Sequence, residues 1–271
     1  MDFVTVGRLS VNDVVFVARK NSPVKIGEEY KNRIIACRRK VEEIEKSGKV
    51  AYGIRTGFGD LKDKIISDSQ VRELQRNLIL SHAAGVGAPF SEEVVRAAML
   101  VRLNSLSQGY SGIRLEVANT LVEMLNKKVH PVVPEQGSVG ASGDLSPLSH
   151  MALVMIGEGE AFFQGERLPG AKAMEKAGIP PLVLESKEGL ALNNGTAFMC
   201  GGGVLALHDA MILSETADVA AAMSLEALLG SKKPFDERVH AIRPHKGQKL
   251  CAKHVLTLLE GSEIIQSHDD C

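Results

Sequence analysis

The feature that most constrains the fold is a long apolar segment, residues 197–229, which is rich in Ala, Met and Leu and follows a helical pattern. It is apolar on most of its sides, and a helix of that kind must pack against several others. Three consecutive glycines at positions 201–203 loosen the pattern. Tryptophan is absent and aromatic residues make up only 4% of the chain, so aliphatic side chains, Ala and Met must fill the core. The segment predicts a mainly α-helical protein.

Shorter segments with helical periodicity predict further helices. They cover residues 11–18, 27–46, 69–81, 94–107, 115–127, 148–156, 171–177 and 243–259. Ser10 and Ser91 stand at positions where a serine side chain can cap a helix. Residues 3–6 are typical of a short strand, and residues 161–168 of a small hairpin that turns at Gln164 and Gly165. We expect a break at residues 231–242 and no further element after residue 259.

A stretch of small residues lies in the middle of the chain. Residues 137–147 read Gly-Ser-Val-Gly-Ala-Ser-Gly-Asp-Leu-Ser-Pro, and glycine permits backbone conformations that other residues rarely adopt. Asp144 or Ser146 can cap the next helix, and Pro147 fits its first turn. A Walker-type phosphate loop needs Gly-Lys-Ser/Thr, and no Lys lies between positions 129 and 171. From the residues alone, a structural loop and a generic anion-binding nest both stay open.

This stretch and its continuation through Leu-Ser-His150 resemble the signature of the aromatic amino acid ammonia-lyases, and most closely that of the histidine-specific members. The resemblance implies that Ala141, Ser142 and Gly143 cyclise to an electrophilic methylidene-imidazolone (MIO), with no external cofactor and no metal. In that chemistry the Gly143 amide nitrogen reaches the Ala141 carbonyl, and Ser142 loses its hydroxyl.

Two further signatures and a Ser-His pair carry the other expected site residues. Tyr52-Gly-Ile-Arg-Thr-Gly-Phe-Gly resembles the second signature, and the resemblance implies that Tyr52 is the general base. The ordinary pKa of a phenol is about 10, so the pKa of Tyr52 must be lowered for this role near neutrality. Asn194-Gly-Thr implies a polar partner of the substrate or of MIO. Ser81-His82 implies that His82 binds the ring of the substrate. From the residues alone, Tyr52 is a packing residue, His82 a helix cap and Asn194 a turn residue.

The net charge and the cysteine content limit which partners and which cellular compartment we expect. The formal net charge of −1 gives no general attraction to nucleic acid or to acidic membranes. The four cysteines form no C-x-x-C pair and are expected to be free thiols in a reducing cytosol. We recognise no signal peptide and expect no stretch to span a membrane, so the predicted location is cytoplasmic.

The resemblance covers essentially all 271 residues, but only the N-terminal half of family members that are roughly twice this length. It implies a fumarase/aspartase-like fold. Residues 1–195 would form an N-terminal MIO-loop domain with short β hairpins, and residues 196–271 would be the first part of a truncated central helical bundle. Members of the family are tetramers that build each active site from several subunits.

The implied reaction is the elimination of ammonia from L-histidine to give trans-urocanate. Tyrosine or phenylalanine lyases and aminomutases share Ala-Ser-Gly, and Ser81-His82 favours histidine. The other alternative is an inert or self-associating fragment without catalysis, because a truncated bundle exposes apolar helix faces.

Overall fold

A computed structural model describes residues 3–47, 51, 54, 70–138 and 143–267. It is mainly helical, as predicted. The chain divides into two compact units, Met1–Leu205 and Ala206–Cys271, and the boundary falls within the long apolar helix. The expected functional division into residues 1–195 and 196–271 stays a prediction.

Helices dominate the first unit. In its described part they are α1 (Val11–Lys20), α2 (Glu28–Lys46), α3 (Val71–His82), α4 (Glu92–Ser107), α5 (Leu115–Lys127), α6 (Leu145–Met155), α7 (Gly170–Lys176), α8 (Glu188–Asn193) and the start of α9 (Ala197–Ala227). Ser10 caps α1 as predicted, because its hydroxyl accepts the Asp13 N–H at 3.2 Å while the Asp13 carboxylate accepts the Ser10 N–H at 2.8 Å. Ser91 holds the N-cap position of α4, but its side chain makes no capping bond.

The strands are short and form three small sheets. β1 (Val4–Thr5) pairs in parallel with β2 (Val24–Lys25), and β3 (Val86–Pro89) pairs antiparallel with β5 (Pro134–Gln136). The third sheet has the order β4 (His130–Pro131), β6 (Glu160–Phe163) and β7 (Glu166–Pro169). The predicted hairpin is its β6–β7 pair, with Gln164 and Gly165 both at positive φ in the turn.

The core of the first unit forms around α4 and α6. Helix α4 packs against α1, α2 and α5, and helix α6 packs against α3, α7 and α8. Met99, Leu100 and Leu103 of α4 are fully buried, as are Leu148 and Met151 of α6. Because α6 directly follows the central loop, the loop ends on one of the most enclosed helices of the unit.

The second unit contains the rest of α9 and several short helices. These are a 3-10 helix (Lys233–Phe235), α10 (Glu237–Ala241), α11 (Lys246–Leu258) and α12 (Glu263–Gln266). The predicted break between α9 and the last long helix is present, but it contains the 3-10 helix and α10. The expectation of no element after residue 259 is wrong, because α12 follows. Helices of four or five residues are too short to show a helical period. The buried core of this unit is small and consists of Ala222, Val255, Leu259 and Ile265.

One helical stretch of the described chain, Glu188–Ala227, is long and apolar enough to cross a membrane by length and composition alone. This corrects the expectation that no stretch has that length. Core helices of soluble proteins meet the same criterion. At the start of α9, Ala197 and Phe198 are buried in the core of the first unit.

Candidate active site

The central loop is described at its two ends. Ala141 and Ser142, two of the three residues expected to form MIO, lie outside the described residues, and so does Tyr52, the expected base. Their roles stay predictions. The other expected site residues, Gly143, His82 and Asn194, are described.

Gly143 lies against the turn that joins α8 to α9. Its φ is +138°, a backbone conformation that residues with a side chain rarely adopt. A Cβ at this position would collide with the carbonyl oxygen of Gly195 and would lie 2.8 Å from the Gly195 nitrogen. The position therefore requires glycine for two independent reasons, its own conformation and its contact with Gly195.

Asp144 links the end of the loop to α9. Its N–H donates to the Gly195 carbonyl at 2.6 Å, and its Oδ2 accepts the N–H of Met199 at 2.9 Å. Met199 lies in the first turn of α9, where free N–H groups and the positive helix end favour a carboxylate. The sequence predicts Asp144 or Ser146 as the cap of α6. Asp144 does hold the N-cap position of α6, but its buried side chain bonds to α9 instead.

The other end of the loop packs against the segment that follows His82. A Cβ on Gly137 would lie 2.8 Å from the Cα of Gly85, so the two backbones are in direct contact. His150 of α6 supports this contact, because its Nε2 accepts the Gly85 N–H at 3.0 Å. Burial lowers the pKa of His150, which keeps that ring neutral and its lone pair free to accept. The loop is thus tied at one end to the His82 segment and at the other to the Asn194 turn.

His82 is the last residue of α3 and is half-buried. Its Nδ1 lies 2.9 Å from the Leu78 carbonyl oxygen and 3.0 Å from the Ser81 hydroxyl. A carbonyl can only accept, so the proton of the neutral ring is on Nδ1. Nε2 then carries the lone pair, and His82 offers an acceptor to an N–H donor.

Asn194 ends α8 and exposes its side chain, whereas its neighbour Asn193 is buried and donates to the Ser149 hydroxyl at 3.3 Å. Arg102 of α4 holds the backbone of the turn through hydrogen bonds. The Arg102 guanidinium donates to the carbonyls of Ala191 and Asn194, the latter at 2.8 Å. Burial lowers the pKa of Arg102 to about 10, so the side chain stays charged at neutral pH. The turn therefore presents one amide side chain to solvent on a fixed backbone.

Sequence reasoning misses three contributors to this arrangement: the bond of Asp144 to α9, His150 and Arg102. His150 belongs to the central signature, but its spacing does not reveal Gly85 as its partner. Arg102 stands in an apolar run of α4, which indicates a buried cation without naming what it contacts.

A separate cavity of 560 Å³ lies in the second unit. Its lining residues include Phe235, His240, Leu250, Ala252 and Lys253. Gly143, His82 and Asn194, the expected site residues that the structure describes, do not line it, so its size alone does not make it the active site.

Comparison with known proteins agrees with these motifs. The family model described as aromatic amino acid lyase matches residues 9–271. This chain belongs to the aromatic amino acid lyase family. The histidine ammonia-lyase of Alkaliphilus oremlandii is 56% identical to this chain over 255 residues, which cover 94% of the chain and 50% of the relative.

Solved structures of other proteins share the fold of this chain. Phenylalanine aminomutase of Pantoea agglomerans superposes with a TM-score of 0.91 at 38% identity, over 97% of this chain and 51% of that one. Histidine ammonia-lyase of Trypanosoma cruzi superposes with a TM-score of 0.88 at 38% identity, over 94% of this chain and 49% of that one. The chain spans about half the length of the curated relatives that it matches.

Proposed function

We propose that this chain carries the electrophile-forming part of an ammonia-lyase that converts L-histidine to trans-urocanate and ammonia. The observation that carries the proposal is the contact of Gly143 with the Asn194–Gly195 turn, because it joins two of the three signatures in one place. The names of the relatives support the reaction class, since proteins 49–56% identical to the chain are histidine ammonia-lyases.

Gly143 is the one of the three ring-forming residues that the structure describes, and its conformation suits an MIO group. Ring closure needs a sharply folded backbone with little bulk at its third residue, and Gly143 has both the positive φ and the unfilled Cβ position. Ala141, Ser142 and Gly143 would hold the group. Once formed, it supplies an electrophilic alkene that accepts electrons from the substrate.

The remaining roles follow from the chemistry of each side chain. Tyr52 removes the β-proton of the substrate. Asn194, which is exposed beside the loop, orients the amine or the electrophile through its amide. The Nε2 acceptor of His82 receives the imidazole N–H of histidine, a donor that phenylalanine lacks.

Ring formation is tested by intact mass and near-ultraviolet absorbance. Cyclisation removes the Ala141 carbonyl oxygen as water, and loss of the Ser142 hydroxyl removes a second water. The purified chain should therefore be lighter than its sequence by two water molecules, and Ser142→Ala should have its full unmodified mass. A parent chain with the unmodified mass would contradict the proposal.

Substrate choice is tested on the full-length protein by following ammonia release from histidine, phenylalanine and tyrosine. His82→Leu should lower kcat/KM for histidine by about tenfold or more, because the imidazole N–H loses its acceptor. His208→Leu, a matched change in the second unit, should leave it unaltered. Equal turnover of the three amino acids by the parent would argue against histidine specificity.

A second candidate is an aminomutase, which the structural similarity to the Pantoea agglomerans enzyme favours. The products distinguish the two, because an aminomutase retains nitrogen in a β-amino acid whereas a lyase releases ammonia. An inert fragment is the third candidate, and histidine turnover by the 271-residue chain alone would exclude it.

We extend the proposal to a cytoplasmic tetramer. The three cysteines in the described part of the chain are free thiols, which suits a reducing compartment. Exposed apolar side chains along α9, including Leu207, Met211 and Leu213, suit assembly with further helices. Light scattering would measure the mass of the assembled particle.

A further inference from the structure

Arg102 is a buried cation in contact with the Asn194–Gly195 turn. Its side chain lies in the core of the first unit, and the residue is 5% exposed. Besides its bonds to the carbonyls of Ala191 and Asn194, its Nη1 fills the place that a Cβ on Gly195 would occupy. The guanidinium is therefore packed against the backbone of the turn.

Among the described residues no charged partner offsets the burial of Arg102, whose lowered pKa has burial as its cause. Its Nε is also buried without a hydrogen-bond partner in that part of the chain. Burial of a cation costs free energy, and the compensation that the described residues offer Arg102 is the pair of carbonyls at the end of α8. Such a costly arrangement fixes the turn strongly, because any displacement of the turn removes the compensation.

The same turn also contacts the central loop. Gly195 accepts the Asp144 N–H at 2.6 Å, and its carbonyl fills the place of the missing Cβ of Gly143. Gly195 thus contacts both the Arg102 guanidinium and the end of the loop.

We propose that Arg102 is the positioning residue of the electrophile loop. It holds the Asn194–Gly195 turn against Gly143 and Asp144, and so maintains the backbone conformation that ring closure requires. The part of this inference that concerns the ring rests on the proposed function, whereas the part that concerns the backbone does not.

Arg96 is a matched control on the same helix. It is also buried, at 1% exposure, and it also donates to main-chain carbonyls: those of Val17 at 2.8 Å and Leu125 at 3.0 Å. Burial lowers the pKa of both arginines. The two differ in what they hold, because the partners of Arg96 belong to α1 and α5 rather than to the turn.

The experiment compares Arg102→Met with Arg96→Met, with Arg102→Lys as the milder variant. Amide hydrogen exchange at Asp144, followed by NMR, reports the Asp144–Gly195 bond without any need for the ring. We expect exchange at Asp144 to be about tenfold faster in Arg102→Met. In Arg96→Met it should change by less than about twofold, since distant sites act independently. Arg102→Lys should lie between the parent and Arg102→Met, because lysine keeps the charge but not the planar fork.

Intact mass on the same samples gives the fraction of chains that have lost two waters. Arg102→Met should lower this fraction, whereas Arg96→Met should leave it unchanged even where its melting temperature falls equally. Equal exchange at Asp144 in the two methionine variants would overturn the inference. If Arg102→Met does not fold, Arg102→Lys and Arg96→Lys carry the same comparison. A parent without mass loss would refute ring formation, while faster exchange in the Arg102 variants alone would still support the positioning role.

Discussion

The first compact unit buries charged and polar side chains, whereas the second exposes apolar ones. Arg38, Arg96, Arg102, Asp144 and Glu188 are all buried in the first unit, and each is hydrogen-bonded to a backbone group. In the second unit, by contrast, Leu213, Leu228, Ile242 and Leu250 are each at least 69% exposed. Buried polar groups with satisfied bonds specify one backbone arrangement. The first unit therefore fixes its backbone through buried polar bonds, whereas the second keeps little core and exposes much of its apolar side-chain surface.

The largest expected effect is the loss of a buried carboxylate in the first unit. Glu188 is fully buried and accepts bonds from Arg114 Nη2 at 2.8 Å, from the Arg114 N–H at 3.0 Å and from the Glu185 N–H at 2.8 Å. Glu188→Gln leaves these donors without a charged acceptor and should reduce the free energy of unfolding by about 3–5 kcal/mol in urea denaturation. Glu175→Gln, which breaks an exposed pair with Lys172, should have no measurable effect. Equal effects would show that burial does not decide the strength of these bonds.

Acid should destabilise the first unit through His130. Burial, followed by the nearby charges of Arg96 and Lys128, lowers the pKa of His130 to about 3. Glu92 lies 3.0 Å from its Nε2 and would favour the charged ring, but Glu92 is 55% exposed, so burial prevails. Between about pH 6.5 and pH 3 the unfolded chain binds a proton that the folded chain does not. Stability should therefore fall as pH falls through this range, by up to about 3 kcal/mol at pH 4.

Thermal denaturation as a function of pH measures this loss. His130→Phe keeps an aromatic ring without a titrating group, so its stability should depend less steeply on pH between 4 and 6.5. An unchanged slope in that variant would assign the acid sensitivity to other groups.

The contact at Gly143 should have a smaller effect on stability. Gly143→Ala introduces both a strained φ and a collision with Gly195, whereas Gly165→Ala introduces only a strained φ, because nothing lies within 4 Å of its Cβ position. Strain at a positive φ costs about 1–3 kcal/mol, and the collision should add to it. The difference between the two midpoints of urea denaturation isolates the contact. Identical midpoints would mean that the loop moves aside at little cost.

The smallest effect on stability is expected in the second unit. Leu213→Glu replaces a side chain that is 69% exposed, so the free energy of unfolding should change by less than about 0.5 kcal/mol. The same change should reduce self-association in sedimentation velocity, because it places a charge on the apolar surface of α9. Ser214→Glu, a neighbouring exposed position without apolar surface, is the control. A stability loss in Leu213→Glu alone would show that this part of α9 is covered within the chain.

The sequence predicts local features of this fold better than its long-range contacts. The bounds of α5, the cap of α1 and the β6–β7 hairpin follow from periodicity, side-chain hydrogen bonding and turn chemistry, which act over a few residues. The short helices α10 and α12 carry too few residues for a period. Arg102 shows the limit most clearly, because its partners lie 89 and 92 positions away and no local pattern specifies them.

The candidate site also has features that the sequence predicts and features that it does not. The family signatures predict Gly143, His82 and Asn194, and the structure ties the segments of all three to the central loop. The side-chain bond of Asp144 to Met199 is not predicted, because capping rules place an aspartate on the helix that follows it, here α6. Which of two nearby helix ends receives the carboxylate depends on packing. Tyr52, Ala141 and Ser142 stay predictions.

The packing of Gly143 on Gly195 also sets an order of events during synthesis. A ribosome completes the central loop well before it adds the residues of α8 and the turn. The emerging loop therefore has nothing to hold Gly143 at its unusual φ until the later segment has been made and has folded back onto it. Any modification of the loop that depends on this conformation must wait for that step. If translation stopped between Gly143 and Gly195, the released chain would contain the whole loop and would remain chemically unaltered.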